Sequence, residues 1–394
     1  MNTTTGNRIT SIDFLRGSIM IIMALDHVRD YLYSGSFYFD PLDLSKTSGI
    51  LFFTRWITHF CMPIFMFLAG TSAYLIGQKK SKSELSVFLI KRGLWLVFLE
   101  LIVLNFGWNF NIAFPMFFFI TIWAIGIAMI VLAGLIHVKP KYIISICLII
   151  IFGHNLLDGI HFTGNNLTAF GWAMLHTQQI FFWHNETLLI GYPLIPLIAI
   201  MPLGYCLGLW FAKGYAIEKR QKNLLIIGAA ALILFVLLRF INVYGDQSKW
   251  GTQKDAFFTF LSFLNVSKYP PSLLYLLLTL GTACIFLSVT EKLKGGIVNI
   301  ISVYGRVPMF YYLIHIYLIH IIAIVASAST QGQDWQVWFL NKPIWFSKNL
   351  KGYGFSLPVA YLIWAGIVVS LYPLCKWYDA YKQANKNKWW LSYL

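Results

Sequence analysis

Arg16 and His27 stand eleven residues apart in the stretch 8–33, RITSIDFLRGSIMIIMALDHVRDYLY. On a helix this spacing is nearly three full turns, so both side chains point the same way, roughly 16 Å apart along the axis. A guanidinium at one end suits phosphate or carboxylate. An imidazole at the other can take a proton from a hydroxyl or an amine. Asp13 falls close to the same face, three residues before Arg16. Asp30, three residues after His27, is expected to hold the imidazole and favour its protonated form.

Further groups of this kind follow. TRWITHFCMPIFMFLAG places Arg55 and His59 four apart on one helix face, with Pro63 expected to kink or loosen the helix one turn below and Gly70 to allow close packing. His59 suits either an interhelical hydrogen bond or a second catalytic imidazole. Glu100 is a lone carboxylate in an apolar stretch, so it is paired, with Arg16 or Arg92, or it relays protons. In YGRVPMFYYLIHIYLIH, Pro308 marks a helix start, Tyr311 and Tyr312 flank His315, and Arg306 stands where a phosphate could meet it. The same aromatic stripe would also serve packing and interface anchoring. Prolines at 193, 196 and 202, and again in SKYPPS, predict irregular helix ends around a pocket mouth.

The elements that must position these groups are membrane helices. The 394 residues are 58% hydrophobic and 11% charged, where a soluble chain carries about a quarter charged residues. Ten stretches approach the length of a span: 10–33, 51–77, 86–109, 114–137, 141–156, 187–212, 222–243, 270–290, 305–328 and 356–378. With the N-terminus inside, nineteen of the thirty Lys and Arg residues fall in inner loops and ten in outer ones. That asymmetry predicts an all-α integral membrane protein, one bundle of about ten transmembrane helices spanning 1–394, with both termini cytoplasmic. It also accounts for most of the net charge of +15 without nucleic acid. The first stretch is too long and too charged for a cleaved signal peptide. The longer outer loops, 155–186, 244–268 and the one from Gln331 to Lys351, are expected to carry the acceptor side of any reaction.

Five cysteines, all in apolar stretches and without a CxxC pair, read as small core residues. His154 and Asp158 are four apart but lack a third ligand, so no metal is expected. The sequence has no Walker A, GxGxxG, HExxH or GxSxG motif.

SIDFLRGSIMIIMALDH resembles the first core helix of the transmembrane acyltransferases, in which Arg is followed after ten residues by His. Together with RWITHFCMPIFMFLAG, YPLIPLIAIMPLGY and YGRVPMFYYLIH, it makes the chain, over about residues 8 to 380, similar to a bacterial member of the heparan-α-glucosaminide N-acetyltransferase group. The resemblance implies transfer of an acetyl or other acyl group from cytoplasmic acetyl-CoA or acyl-CoA to a sugar or glycan across the membrane, in a bacterial inner membrane. It implies His27 as base, with Asp30 and His59 as further catalytic candidates. Arg16, Arg306, Tyr312 and His315 would lie toward the donor. The lysosomal relatives place Asn where His27 stands, and a catalytic His eleven residues on. That later position is Tyr38 here, so the base must come from His27 or His59.

A secondary transporter would use the same buried Arg, Glu and His as a substrate path and proton relay, though the chain shows no two related halves of the transporter kind. A cell-envelope scaffold protein is a third reading. Acyl-CoA binding separates the enzyme from both. The oligomeric state stays open, a homodimer included.

Overall fold

The computed structural model describes residues 9–330 and 334–392; Arg8 and Gln331, used above, lie outside them. The helices are α1 (Thr10–Leu32), α2 (Gly49–Trp56), α3 (Cys61–Gly77), α4 (Lys82–Phe98), α5 (Asn105–Asn109), α6 (Thr121–Leu135), α7 (Pro140–Gly153), α8 (Leu167–Leu175), α9 (Leu194–Leu207), α10 (Ile217–Ile241), α11 (Ala256–Leu264), α12 (Leu273–Thr290), α13 (Gly296–Arg306), α14 (Pro308–Thr330) and α15 (Leu357–Ala384). Among the described residues, seven helical stretches are long and apolar enough to cross a bilayer: Gly49–Gly77, Pro140–Leu157, Leu194–Phe211, Ile217–Ile241, Leu273–Thr290, Pro308–Ser329 and Leu357–Ala384. The other three expected spans are also helical. α1 holds five Asp and Arg side chains, α6 is shorter, and α4 runs into a π segment (Leu99–Leu104) before α5.

Local chemistry explains the boundaries. Ser81 and Glu84 form a capping box at the start of α4. Ser272 accepts from the Tyr275 N–H to start α12. The helical stretch Gly49–Gly77 loosens to a 3₁₀ turn (Ile57–Phe60) just before Pro63, which lies in the first turn of α3, where its missing N–H costs little.

Three short strands were not foreseen: β1 (Met116–Phe119), β2 (Gln179–Trp183) and β3 (Glu186–Ile190). They form one sheet in the order β1-β3-β2, with β1 and β3 parallel in register Met116↔Thr187, and β2 and β3 an antiparallel hairpin. The stretches 114–137 and 187–212 are therefore each a strand followed by a helix.

Two close approaches fix the helices around the site. A β-carbon on Gly204 of α9 would sit 1.9 Å from the Phe67 carbonyl oxygen of α3, and one on Gly305 of α13 would sit 1.9 Å from the Asp13 carbonyl oxygen of α1. Only a residue without a side chain permits backbones that near. α1 also contacts α3, α12, α14 and α15, so it lies at the centre of the bundle.

Candidate active site

The bundle is open at the end that the basic-residue count places outside. A cavity of about 720 Å³ lies there between the last two turns of α1, the sheet, and loops around 38–41, 268–269 and 345–346. That is the size of a small-molecule site. Its wall carries His27, Asp30, Arg55, Lys268 and Tyr312.

His27 is held by His315. Nδ1 of His27 lies 2.8 Å from Nε2 of His315, and the two rings are nearly parallel, 6° apart with centroids at 5.0 Å. On its far side, Nδ1 of His315 lies 2.8 Å from the Tyr311 carbonyl oxygen. A carbonyl only accepts, so His315 carries its proton on Nδ1 and offers a lone pair at Nε2. His27 must then donate from its own Nδ1, which leaves a lone pair on Nε2. The chain of bonds sets the tautomer a general base needs. Trp108 packs edge-on against the His27 ring at 4.9 Å, and Tyr312 does so at 5.9 Å.

Asp30 does not hold the imidazole. It accepts from Arg29 at 2.6 Å, because the neighbouring guanidinium is the stronger partner for a buried carboxylate. Asp26 joins Arg29 at 2.6 Å and Arg55 at 3.2 Å. Asp26, Arg29, Asp30 and Arg55 thus form a balanced four-charge network beside His27. Lys268 is buried in the same wall, 5.3 Å from the Tyr269 ring, with no carboxylate at ion-pair distance among the described residues.

The loop bearing Lys268 and Tyr269 is fixed from below. Asp246 accepts from Ser267 and Ser272, and Arg239 donates to the carbonyls of Ser248, Ser262, Phe263 and Asn265. Burial pushes the Tyr269 phenol up, but Lys268 and Arg55 outweigh it and bring the group below its ordinary range. The Tyr192 and Tyr269 hydroxyls lie 3.5 Å apart across the cavity wall.

The remaining expected residues lie elsewhere. Arg16 is at the other end of α1, bonded to Ser72 of α3 at 2.8 Å, to the Gly305 carbonyl at 3.0 Å and to Asp13 at 3.4 Å. Glu100 does not pair with Arg16. Its Oε2 accepts the Ile122 and Trp123 N–H groups at 2.6 and 3.1 Å, since the buried amides at the start of α6 have no partner within the helix. Arg306 pairs with Asp379 at 2.6 Å. His59 is fully buried against Tyr275, outside the cavity wall, with no partner for Nε2 among the described residues. Trp108 was not singled out from the sequence; Lys268 and Tyr269 entered only within SKYPPS, and Tyr192 beside Pro193, the stretches expected around a pocket mouth, where the structure places them. The clue available for Trp108 was its place between Asn105 and Asn109 in an otherwise apolar stretch.

Among curated proteins, none matches the chain. Residues 8–240 match the family described as heparan-alpha-glucosaminide N-acetyltransferase, catalytic. The match takes in Arg16, His27, the four-charge network and Trp108, and stops short of Lys268, Tyr312 and His315. With more than half of its 394 residues in that match and a bundle of membrane-crossing helices around the site, the chain belongs to the heparan-α-glucosaminide N-acetyltransferase family of integral-membrane acetyltransferases.

Proposed function

We propose that the protein moves an acetyl or other acyl group from acyl-CoA, arriving at the basic end, to a sugar or glycan acceptor held in the cavity. The observation that carries this reading is the hydrogen bond to His315 from His27 of the cavity wall, which leaves His27 a proton-accepting nitrogen for an acceptor held there. The acceptor hydroxyl or amine gives its proton to His27 Nε2 as it attacks the thioester carbonyl. The imidazolium formed then donates more strongly to His315 and returns the proton to the departing thiolate. His27 here works as a base; His59 is proposed to act on the site through packing.

The donor would meet Arg16 and Arg306 at the basic end. Arg16 bonds to the carbonyl of Gly305, the residue before Arg306 in the chain, and the Arg306 guanidinium pairs with Asp379. The thioester would extend along α1 and α14 toward His27. Aromatic rings of Tyr192, Trp345 and Phe346 offer apolar faces to a sugar, and the charged network offers polar partners. In a bacterial inner membrane, the acceptor would be a glycan of the cell envelope.

Purified protein in nanodiscs, given acetyl-CoA and glucosamine, is expected to release CoA and form acetylglucosamine, detected by mass spectrometry. Absence of acetyl-CoA binding in a calorimetric titration would remove the transferase reading and leave the transport one.

A further inference from the structure

Two hydrogen-bond donors next to His27 are not engaged by the fold. Tyr312 lies on α14 one turn before His315, is buried to 4% exposure and lines the cavity. Its hydroxyl donates to no acceptor among the described residues. Trp108 lines the cavity from α5, and its buried indole Nε1 has no well-formed hydrogen bond. The Trp108 indole meets the His27 ring edge-on, as the Tyr312 ring does.

Tyr311 shows what a packing tyrosine looks like in the same turn. Its ring stacks on His315 at 5.0 Å and 14°, its hydroxyl is sealed from solvent, and it has no place in the cavity wall. Tyr312 meets the same imidazole edge-on at 5.4 Å and 66° and opens on the cavity. A free phenolic proton beside the base, in the cavity wall, is where a developing negative charge would be met.

We propose that the Tyr312 hydroxyl is the catalytic donor that stabilises the oxyanion of the acyl-transfer intermediate. The proposal rests on the transferase reading above. As the acceptor nitrogen or oxygen bonds to the thioester carbon, the C=O π pair moves onto oxygen and the acceptor proton moves to His27 Nε2. The Tyr312 O–H donates a hydrogen bond to that oxyanion. The pair then re-forms C=O, the C–S bond breaks, and the thiolate takes the proton from His27. No electrons are gained or lost overall.

Tyr312→Phe removes one oxygen and keeps the ring. Steady-state acetyl transfer from acetyl-CoA to glucosamine is expected to show kcat lower by about 10²–10³-fold. KM and Kd for acetyl-CoA should stay within about twofold, because the bond forms only in the transition state. A kcat within twofold of wild type, or a loss confined to KM, overturns the proposal. If Tyr312→Phe is destabilised, fluorinated tyrosines at position 312 replace it: kcat should follow phenol acidity, and a flat response overturns the proposal. A wild-type protein that binds no acetyl-CoA and transfers nothing removes the transferase reading and this proposal together, whereas an active wild type with an active Tyr312→Phe removes this proposal alone.

Discussion

His315 reaches His27 across 288 positions of chain, and the 2.8 Å contact between their ring nitrogens joins a helix inside the family match to one beyond it. If His315 sets the tautomer of His27, its loss should slow the reaction without emptying the donor site. His315→Ala is expected to lower kcat by about 10–100-fold, the usual effect of removing a residue that orients a functional imidazole. His315→Gln, whose amide oxygen can still accept from His27 Nδ1, should recover part of it. Equal kcat in His315→Ala and wild type would show that His27 needs no orienting partner. In the wild type, kcat should rise with pH as His27 loses its proton, and that limb should vanish in His27→Ala along with about 10²–10⁴ in rate.

Asp26 is the shared carboxylate between Arg29 and Arg55. Asp26→Asn leaves two cations facing each other where a counter-charge stood, with Arg29 only 3% exposed. Breaking a buried pair in this way costs about 3–5 kcal/mol. Thermal unfolding in detergent should therefore shift downward in Asp26→Asn. The double variant Asp26→Asn with Arg55→Gln should recover stability by removing the excess charge. A double variant no more stable than the single one would show that the network is not a closed unit.

The bundle was legible in the sequence because hydropathy and length identify a membrane helix without knowledge of its neighbours. The strands were hidden for the same reason. MFFF at 116–119 and TLLI at 187–190 run straight into apolar helices, and over so short a run an apolar strand and a helix end look alike. The pairing of His27 and His59 with their neighbours was hidden differently. Helical spacing shows which residues share a face, as it did for His27 and Arg16, but not what faces them. Asp30 shows the limit: three residues is the right distance for a contact with His27, yet adjacent Arg29 takes the carboxylate. Glu100 shows another. The buried amides that bind it belong to a helix start twenty-two residues away, and no side-chain inventory includes them.

The outer loops carry a pH-sensitive contact. Burial alone would raise the Asp158 carboxyl, but hydrogen bonds from His176, Asn155 and Gln247 outweigh it and hold the group below its usual range. A carboxylate depressed by folding contributes stability above its unfolded pKa, about 3.9, and loses it as pH falls through the folded value. Amide exchange in 154–176 should therefore increase on acidification below about pH 4. In Asp158→Asn the exchange of this segment should be faster already at neutral pH and respond less to acid. Unaltered acid dependence in that variant would assign the effect to other carboxylates.

Arg16 belongs to the opposite end of α1 from the cavity, and its bonds to Ser72 and Gly305 tie α1 to α3 and α13. Its effects should follow that position. Arg16→Ala should weaken acetyl-CoA binding, lower thermal stability or both, while KM for the sugar acceptor changes by less than about twofold. That expectation follows because a group remote from the acceptor makes no differential contact with it. Arg16→Lys keeps the charge but cannot reach Ser72 and Gly305 with one planar fork, so it should restore donor binding only in part. Calorimetry with acetyl-CoA on folded protein separates the two roles: a stable Arg16→Ala protein with unchanged acetyl-CoA affinity would make Arg16 a helix tie alone. A raised acceptor KM with intact donor binding would instead mean that acceptor and donor do not approach His27 from opposite ends.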